Sequence, residues 1–177
     1  MWNVITVDGY FEGVEPWDLH FHNSVYGDEL ERFSIEQLDS AEAVIYGSVT
    51  YEGMFSYWKN EKGEVAERVN SMKKYVCSES LESAEWNNTE ILKDAVADIT
   101  RLKQDGDGNL FVFGSGKLSN SLIKADLFDE YRLCIAPMIL GDGRQLFESG
   151  LPTEKLSLLE SKTLTTGGVI VKYEVVQ

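Results

Sequence analysis

Three short apolar runs in this 177-residue chain end in the same kind of turn, and that recurrence constrains the fold more than any other feature. Ala43 to Tyr46 gives way to Gly47-Ser48-Val49-Thr50, Tyr75 to Cys77 gives way to Ser78-Glu79-Ser80, and Leu110 to Phe113 gives way to Gly114-Ser115-Gly116-Lys117. Runs this short read as buried strands rather than helices. Helical spacing fills the intervals and predicts helices over 28–39, 50–56, 62–71, 93–104 and 117–124. Trp2 to Val7 predicts an opening strand stopped by Asp8-Gly9, and Tyr131 to Ala136 a late one ended by Pro137. Residues 156–164 and 169–176 flank a turn at Thr165 to Gly168 and predict a hairpin. The alternation implies a three-layer α/β/α fold, with a mostly parallel central sheet and an antiparallel C-terminal hairpin. The length suits one domain over 1–177.

Composition narrows the function. Thirty acidic residues against sixteen Lys and Arg leave a net charge of −14, which argues against nucleic acid as a partner. No apolar run approaches a membrane span, and Met1-Trp2-Asn3-Val4 lacks the start of a signal peptide. Cys77 and Cys134 lie in apolar runs without metal spacing and read as buried thiols of a reduced, cytoplasmic protein.

Ligands of parallel sheets bind at the carboxyl ends of the strands, so the residues after each run carry the functional expectation. Glycine lets a backbone approach a phosphate, and the amides at a helix start point at it with the helix dipole behind them. Each turn alone is equally an ordinary helix cap; three at one rim point to a phosphate-bearing ligand. Gly114-Ser115-Gly116-Lys117 is neither a P-loop nor a complete dinucleotide fingerprint. Asp8, at the end of the first strand, is an acid placed to orient a substrate or relay a proton, or a turn aspartate. The aromatic loop from Tyr10 to His22 is a candidate lid or an ordinary surface loop. His20 and His22, if on a strand, would share a face as some metal ligands do, but no further ligand stands at a telling spacing and no metal is assigned.

Taken together the motifs resemble the RibD C-terminal reductase family, whose fold is that of dihydrofolate reductase. Thr6-Val7-Asp8-Gly9-Tyr10-Phe11-Glu12-Gly13 with Trp17-Asp18, Tyr46 to Glu52, Phe113 to Gly116, and the late stretch from Leu127 through Ala136-Pro137 and Leu140-Gly141-Asp142-Gly143 to Leu146-Phe147 carry the resemblance. It implies hydride transfer from NADPH to a pterin- or pyrimidine-like heterocycle, and a homodimer, for which the Tyr131 to Ala136 strand and the terminal hairpin are the candidate exposed edges. Among its implied cofactor residues, Thr6 borders the nicotinamide, Gly47, Ser48 and Thr50 meet phosphates, and Ser78 lies near the adenosine 2′-phosphate. Gly114, Ser115, Gly116, Lys117 and Leu118 cradle the pyrophosphate. Asp8 is the implied catalytic residue, with Tyr10, Trp17, Tyr51 and Met54 on the substrate or lid side.

The family's Arg after the first glycine is Ser48 here, and Glu79 adjoins Ser78. Both favour a free ribose hydroxyl, so NADH is the alternative nucleotide, with Lys73, Lys74 or Lys117 as candidate compensating cations. A noncatalytic nucleotide- or flavin-binding protein is the alternative function. No H-x-E…P-C-x-x-C zinc deaminase signature accompanies the fold, so a direct role in riboflavin synthesis is not implied.

Overall fold

The computed structural model describes residues 1–176, and the chain forms two compact units: Met1–Glu31 with the segment from Phe128 onward, and Arg32–Leu127. In chain order the elements are β1 (Trp2–Thr6), β2 (Tyr10–Glu12), a 3-10 turn (His20–Ser24), α1 (Asp28–Ser40), β3 (Ala41–Gly47), α2 (Ser48–Trp58), α3 (Glu64–Ser71) and β4 (Lys73–Cys77). There follow β5 (Thr89–Leu92), α4 (Ala95–Asp105), β6 (Asn109–Val112), α5 (Gly116–Lys124), β7 (Glu130–Ala136), β8 (Arg144–Gln145), β9 (Leu156–Thr163) and β10 (Val169–Val175).

The second unit holds a fully parallel sheet in the order β5-β4-β3-β6. Ala43 to Tyr46 of β3 are all buried, as an apolar strand covered on both faces must be. The β3-to-β4 crossover steps one way across the sheet, and the β5-to-β6 crossover steps the other way. Right-handed connections therefore put α2 and α3 on one face, and α4 with its neighbour α5 on the other. The first unit holds a mixed sheet, β1-β7-β10-β9, and a β2-β8 ribbon. There β1 runs parallel to β7, and the C-terminal hairpin adds the expected antiparallel edge.

One expected helix start is absent. Residues 78–88 after β4 form no helix, because Trp86 draws the segment across the unit as irregular chain. Its backbone N–H donates to the Tyr51 hydroxyl (2.9 Å), and its indole N–H donates to Asn70 Oδ1 (2.8 Å). Its ring stacks on Tyr46 with centroids 5.9 Å apart. The same cluster corrects the placement of Tyr51. That residue is 3% exposed and packs among Tyr46, Val76, Trp86 and Phe111, so its ring and hydroxyl serve the core rather than a substrate. Met54 packs against the same cluster. The strand β5, too short to show periodicity, is a further element that the sequence reading missed.

Lys74 is fully buried, and among the described residues no carboxylate contacts it. Its ammonium donates to the carbonyls of Asn70 (3.1 Å), Met72 (2.8 Å) and Asn87 (3.1 Å), and lies 4.8 Å from the Trp86 ring centroid. Burial pushes its pKa down to about 8 from 10.5. Between those values the unfolded chain keeps the proton that the folded chain has released, so Lys74 makes stability climb with pH across that window. The thiols of Cys77 and Cys134, pushed up to about 12 by burial, act in the opposite sense from about pH 9 upward. Lys74→Met removes only the first effect. Urea unfolding in steps across the window should show the wild type gaining on the variant as pH rises, and a pH-independent difference would contradict this account.

Candidate functional site

The register of the parallel sheet brings the three turns to one rim. Gly47 lies opposite Cys77 across the β3–β4 pairing, and Ile45 lies opposite Val112 across the β3–β6 pairing. Strand order reverses between β3 and β6, the kind of switch point at which open α/β sheets bind ligands. There the Gly47 N–H donates to Ser115 Oγ at 2.7 Å. A side chain at Gly47 would crowd this contact, because its Cβ would stand 3.3 Å from Ser115 Oγ and 3.7 Å from Leu118 Cβ. A Cβ at Gly114 would stand 3.3 Å from the Thr50 methyl. Gly114 and Ser115 are both left-handed (φ 61° and 58°), which lets the chain leave β6 and enter α5 with that helix's first amides turned to the rim.

Neither α2 nor α5 has a side-chain cap. Ser115, at the N-cap of α5, turns its hydroxyl to Gly47 instead. The first-turn amides of two helices, Ser48 to Thr50 and Gly116 to Leu118, therefore lack the usual local acceptor. Lys117 is exposed beside them, Leu118 is buried beneath, and Ser48 and Thr50 are half-exposed. This donor set fits a bridged phosphate group. The third turn contributes differently. The Ser78 N–H donates to the Leu92 carbonyl (2.9 Å) and Ser78 Oγ accepts from the Leu81 N–H (3.1 Å), leaving the hydroxyl proton available. Lys73 and Lys74, considered as compensating cations, begin β4 at the opposite end from the rim. Lys73 pairs with Glu90 at 2.8 Å, so neither lysine serves there.

In the first unit the ends of β1 and β7 make a second rim. Thr6 is buried; its hydroxyl donates to Asp8 Oδ1 (2.6 Å) and accepts from the Tyr10 N–H (3.0 Å). The Asp8 carboxylate also accepts from the amides of Leu140 (3.3 Å) and Gly141 (2.8 Å). The Thr6 hydroxyl and these amides hold it below the usual carboxylate range, so it has no proton to donate at neutral pH. Three of its roughly four acceptor positions are committed, which leaves about one for a ligand N–H. Val7 and Ile139 flank it, 62% and 73% exposed, joined by the Val7 N–H to Met138 carbonyl bond (2.9 Å). That apolar pair was not singled out in the sequence, because β1 is buried along its whole length and shows no alternation that would mark Val7 as exposed.

The aromatic loop is tethered. β2 pairs with β8, Glu12 is buried, and its carboxylate accepts from the Trp17 N–H (2.6 Å) and pairs with Arg144 (3.2 Å). Trp17 is left-handed at φ 64° and exposed, and Tyr10 is half-buried. The histidines sit on a 3-10 turn rather than a strand, so their spacing does not align them. His20 is exposed and bonded to Asp18 (2.7 Å), whereas burial pushes the His22 pKa down to about 4. Among the described residues no group of three or more His, Cys, Asp or Glu is placed to hold a metal. No described helix is long and apolar enough to cross a membrane.

Fold comparison defines the class first. The chain superposes with a TM-score of 0.83 over 99% of its length and 97% of a riboflavin biosynthesis-type protein from Shewanella sp. PV-4, at 18% identity. It matches RibD of Acinetobacter baumannii with a TM-score of 0.71 at 13% identity, covering 57% of that longer chain. Both share the mixed α/β architecture described above. The model of the RibD C-terminal domain matches residues 2–170, and the chain belongs to that family. In sequence it is 27% identical to the uncharacterised YyaP of Bacillus subtilis (strain 168), over 96% of this chain and 90% of that one.

The junction of the first and third turns rests on one side chain. Ser115→Ala leaves the part-buried Gly47 N–H without its acceptor and should cost about 1–2 kcal/mol in urea unfolding. A loss below about 0.3 kcal/mol would mean that the hydroxyl does not hold the two turns together.

Proposed function

We propose that this protein is a nicotinamide-dependent reductase acting on a small pyrimidine- or pterin-like heterocycle. The observation that carries the reading is the meeting of two uncapped helix starts at the strand-order reversal, joined by the Gly47 to Ser115 bond. When bound, the nicotinamide would supply the hydride. In this reading the amides of Ser48 to Thr50 and Gly116 to Leu118 hold the dinucleotide's phosphates, and Lys117 adds a positive charge. The apolar Val7 and Ile139 offer a flat ring a dry surface. The free acceptor position of Asp8 takes a ring or amino N–H, which makes Asp8 an orienting group rather than a proton donor. Tyr10 and Trp17, held by Thr6 and Glu12, lie on the substrate side. Relatives support the class: one solved neighbour is a pyrimidine reductase-like protein of Corynebacterium diphtheriae, and another, from Thermotoga maritima, is a deaminase joined to a 5-amino-6-(5-phosphoribosylamino)uracil reductase. Of the two segments expected to pair across subunits, the Tyr131 to Ala136 strand (β7) is enclosed between β1 and β10 and offers no edge, whereas β9 of the hairpin is an edge strand exposing Leu158 and Leu159, so self-association in this reading runs through β9.

A second reading, binding without turnover, is favoured by the ionised and largely committed Asp8. Titration with NADPH and NADH distinguishes these cases through energy transfer from the four tryptophans to the nicotinamide. The proposal expects saturable transfer with at least one nucleotide at a Kd below about 1 mM. No response to either would refute it. Saturable binding with no nucleotide oxidation across pyrimidines, pteridines and quinones would select the second reading.

A further inference from the structure

The segments that build the rim around Asp8 are charged one way. Residues 1–31 carry seven Asp and Glu and no Lys or Arg, and residues 137–147 add Asp142 and a single Arg144. Backbone contacts gather these charges. The Asp8 carboxylate accepts from the Gly141 N–H (2.8 Å), which sets the exposed Asp142 one residue from that bond. The Glu12 carbonyl fills the place that a side chain would need at Gly143, and the Asp18 carboxylate fills the place that one would need at Gly13. The Asp142-Gly143 turn therefore abuts Glu12-Gly13, with Asp18 against the same backbone. The Asp18 N–H donates to the Glu15 carbonyl (3.1 Å), which keeps the exposed Glu15 on that loop.

The opposing charges are already engaged. Arg144 pairs with Glu12 at 3.2 Å, and His20 Nδ1 bonds to Asp18 at 2.7 Å. Among the described residues these carboxylates form no group able to hold a metal, so they act as a spread negative field rather than as a cation site. The Thr6 hydroxyl holds Asp8 below the usual carboxylate range, and the His20 bond does the same for Asp18, so the field persists at neutral pH.

We infer that this rim selects a substrate without a phosphate group: an amino-substituted heterocycle, neutral or cationic. The inference rests on the reductase reading above and narrows its substrate class, away from the phosphoribosylated pyrimidine of the Thermotoga maritima reductase. A phosphate monoester brings a charge of about −1.5 to −2 at neutral pH. Charges act on one another over about 8 Å at physiological ionic strength, and Asp142 adjoins the amide that Asp8 holds, so a ligand seated at Asp8 lies within that range. A phosphate there meets like charge with Arg144 already committed to Glu12. An amino N–H or a ring cation is drawn the other way, and finds the open acceptor position of an ionised Asp8.

Calorimetric titration of the full-length protein, with and without NADPH present, tests this with two matched pairs. One is 5-amino-6-(ribosylamino)uracil against its phosphoribosyl counterpart, and the other is 7,8-dihydroneopterin against its monophosphate. In at least one pair the phosphate-free member should bind about tenfold more tightly or better, and added salt should shrink the gap by screening. Asp142→Lys should narrow the gap by about threefold or more. Glu15→Lys, at a separate exposed position, should act in the same direction and guards against a folding defect in the first variant. Equal or tighter binding of the phosphorylated members, or a gap that salt and both variants leave unchanged, overturns the inference and leaves the heterocycle reading intact. Binding of no member of either pair overturns both.

Discussion

The hydrogen bond from the Gly47 amide to Ser115 Oγ joins two crossovers that the chain lays down almost seventy residues apart. Strand order reverses between the adjacent strands β3 and β6, so the loops leaving them emerge side by side at the same rim. Glycine at 47 admits the contact, and the left-handed pair Gly114-Ser115 aims it. Ser115 spends its hydroxyl on the partner loop and forgoes capping its own helix. The consequence is a rim on which two sets of first-turn amides remain open to a ligand.

On the proposed reading, this arrangement reconciles an acidic chain with an anionic cofactor. At −14 overall, the protein has little long-range attraction for phosphate. Amides oriented by helix starts act at short range and carry no counter-charge penalty. Lys117, exposed on the first turn of α5, stands beside these amides and adds a positive charge. The Asp8 tie in the first unit works on the same principle in reverse, with hydroxyl and amide donors holding a carboxylate in its charged form.

Much of this was legible in the sequence. The apolar runs located β3, β4 and β6, and the glycine turns after β3 and β6 marked the rim. Local signals failed where long-range contacts decide. Cys77-Ser78-Glu79-Ser80 looks like the other two turns, but Trp86, anchored by Tyr51 and Asn70, pulls the chain away from a helix there. Tyr51 shares a helix with Ser48 and Thr50 at the rim, yet its position on the first turns points it into the aromatic cluster. Lys73 and Lys74, which adjoin the right strand, lie at its wrong end.

The account stands most directly on the claim that main-chain amides, rather than side-chain charges, grip the dinucleotide. Amide-resolved NMR of the 177-residue chain during titration with NADPH tests it. The largest shifts should fall on the amides of Ser48, Val49, Thr50, Gly116, Lys117 and Leu118, clustered at the one rim. Saturable binding that leaves those six amides unmoved would contradict it.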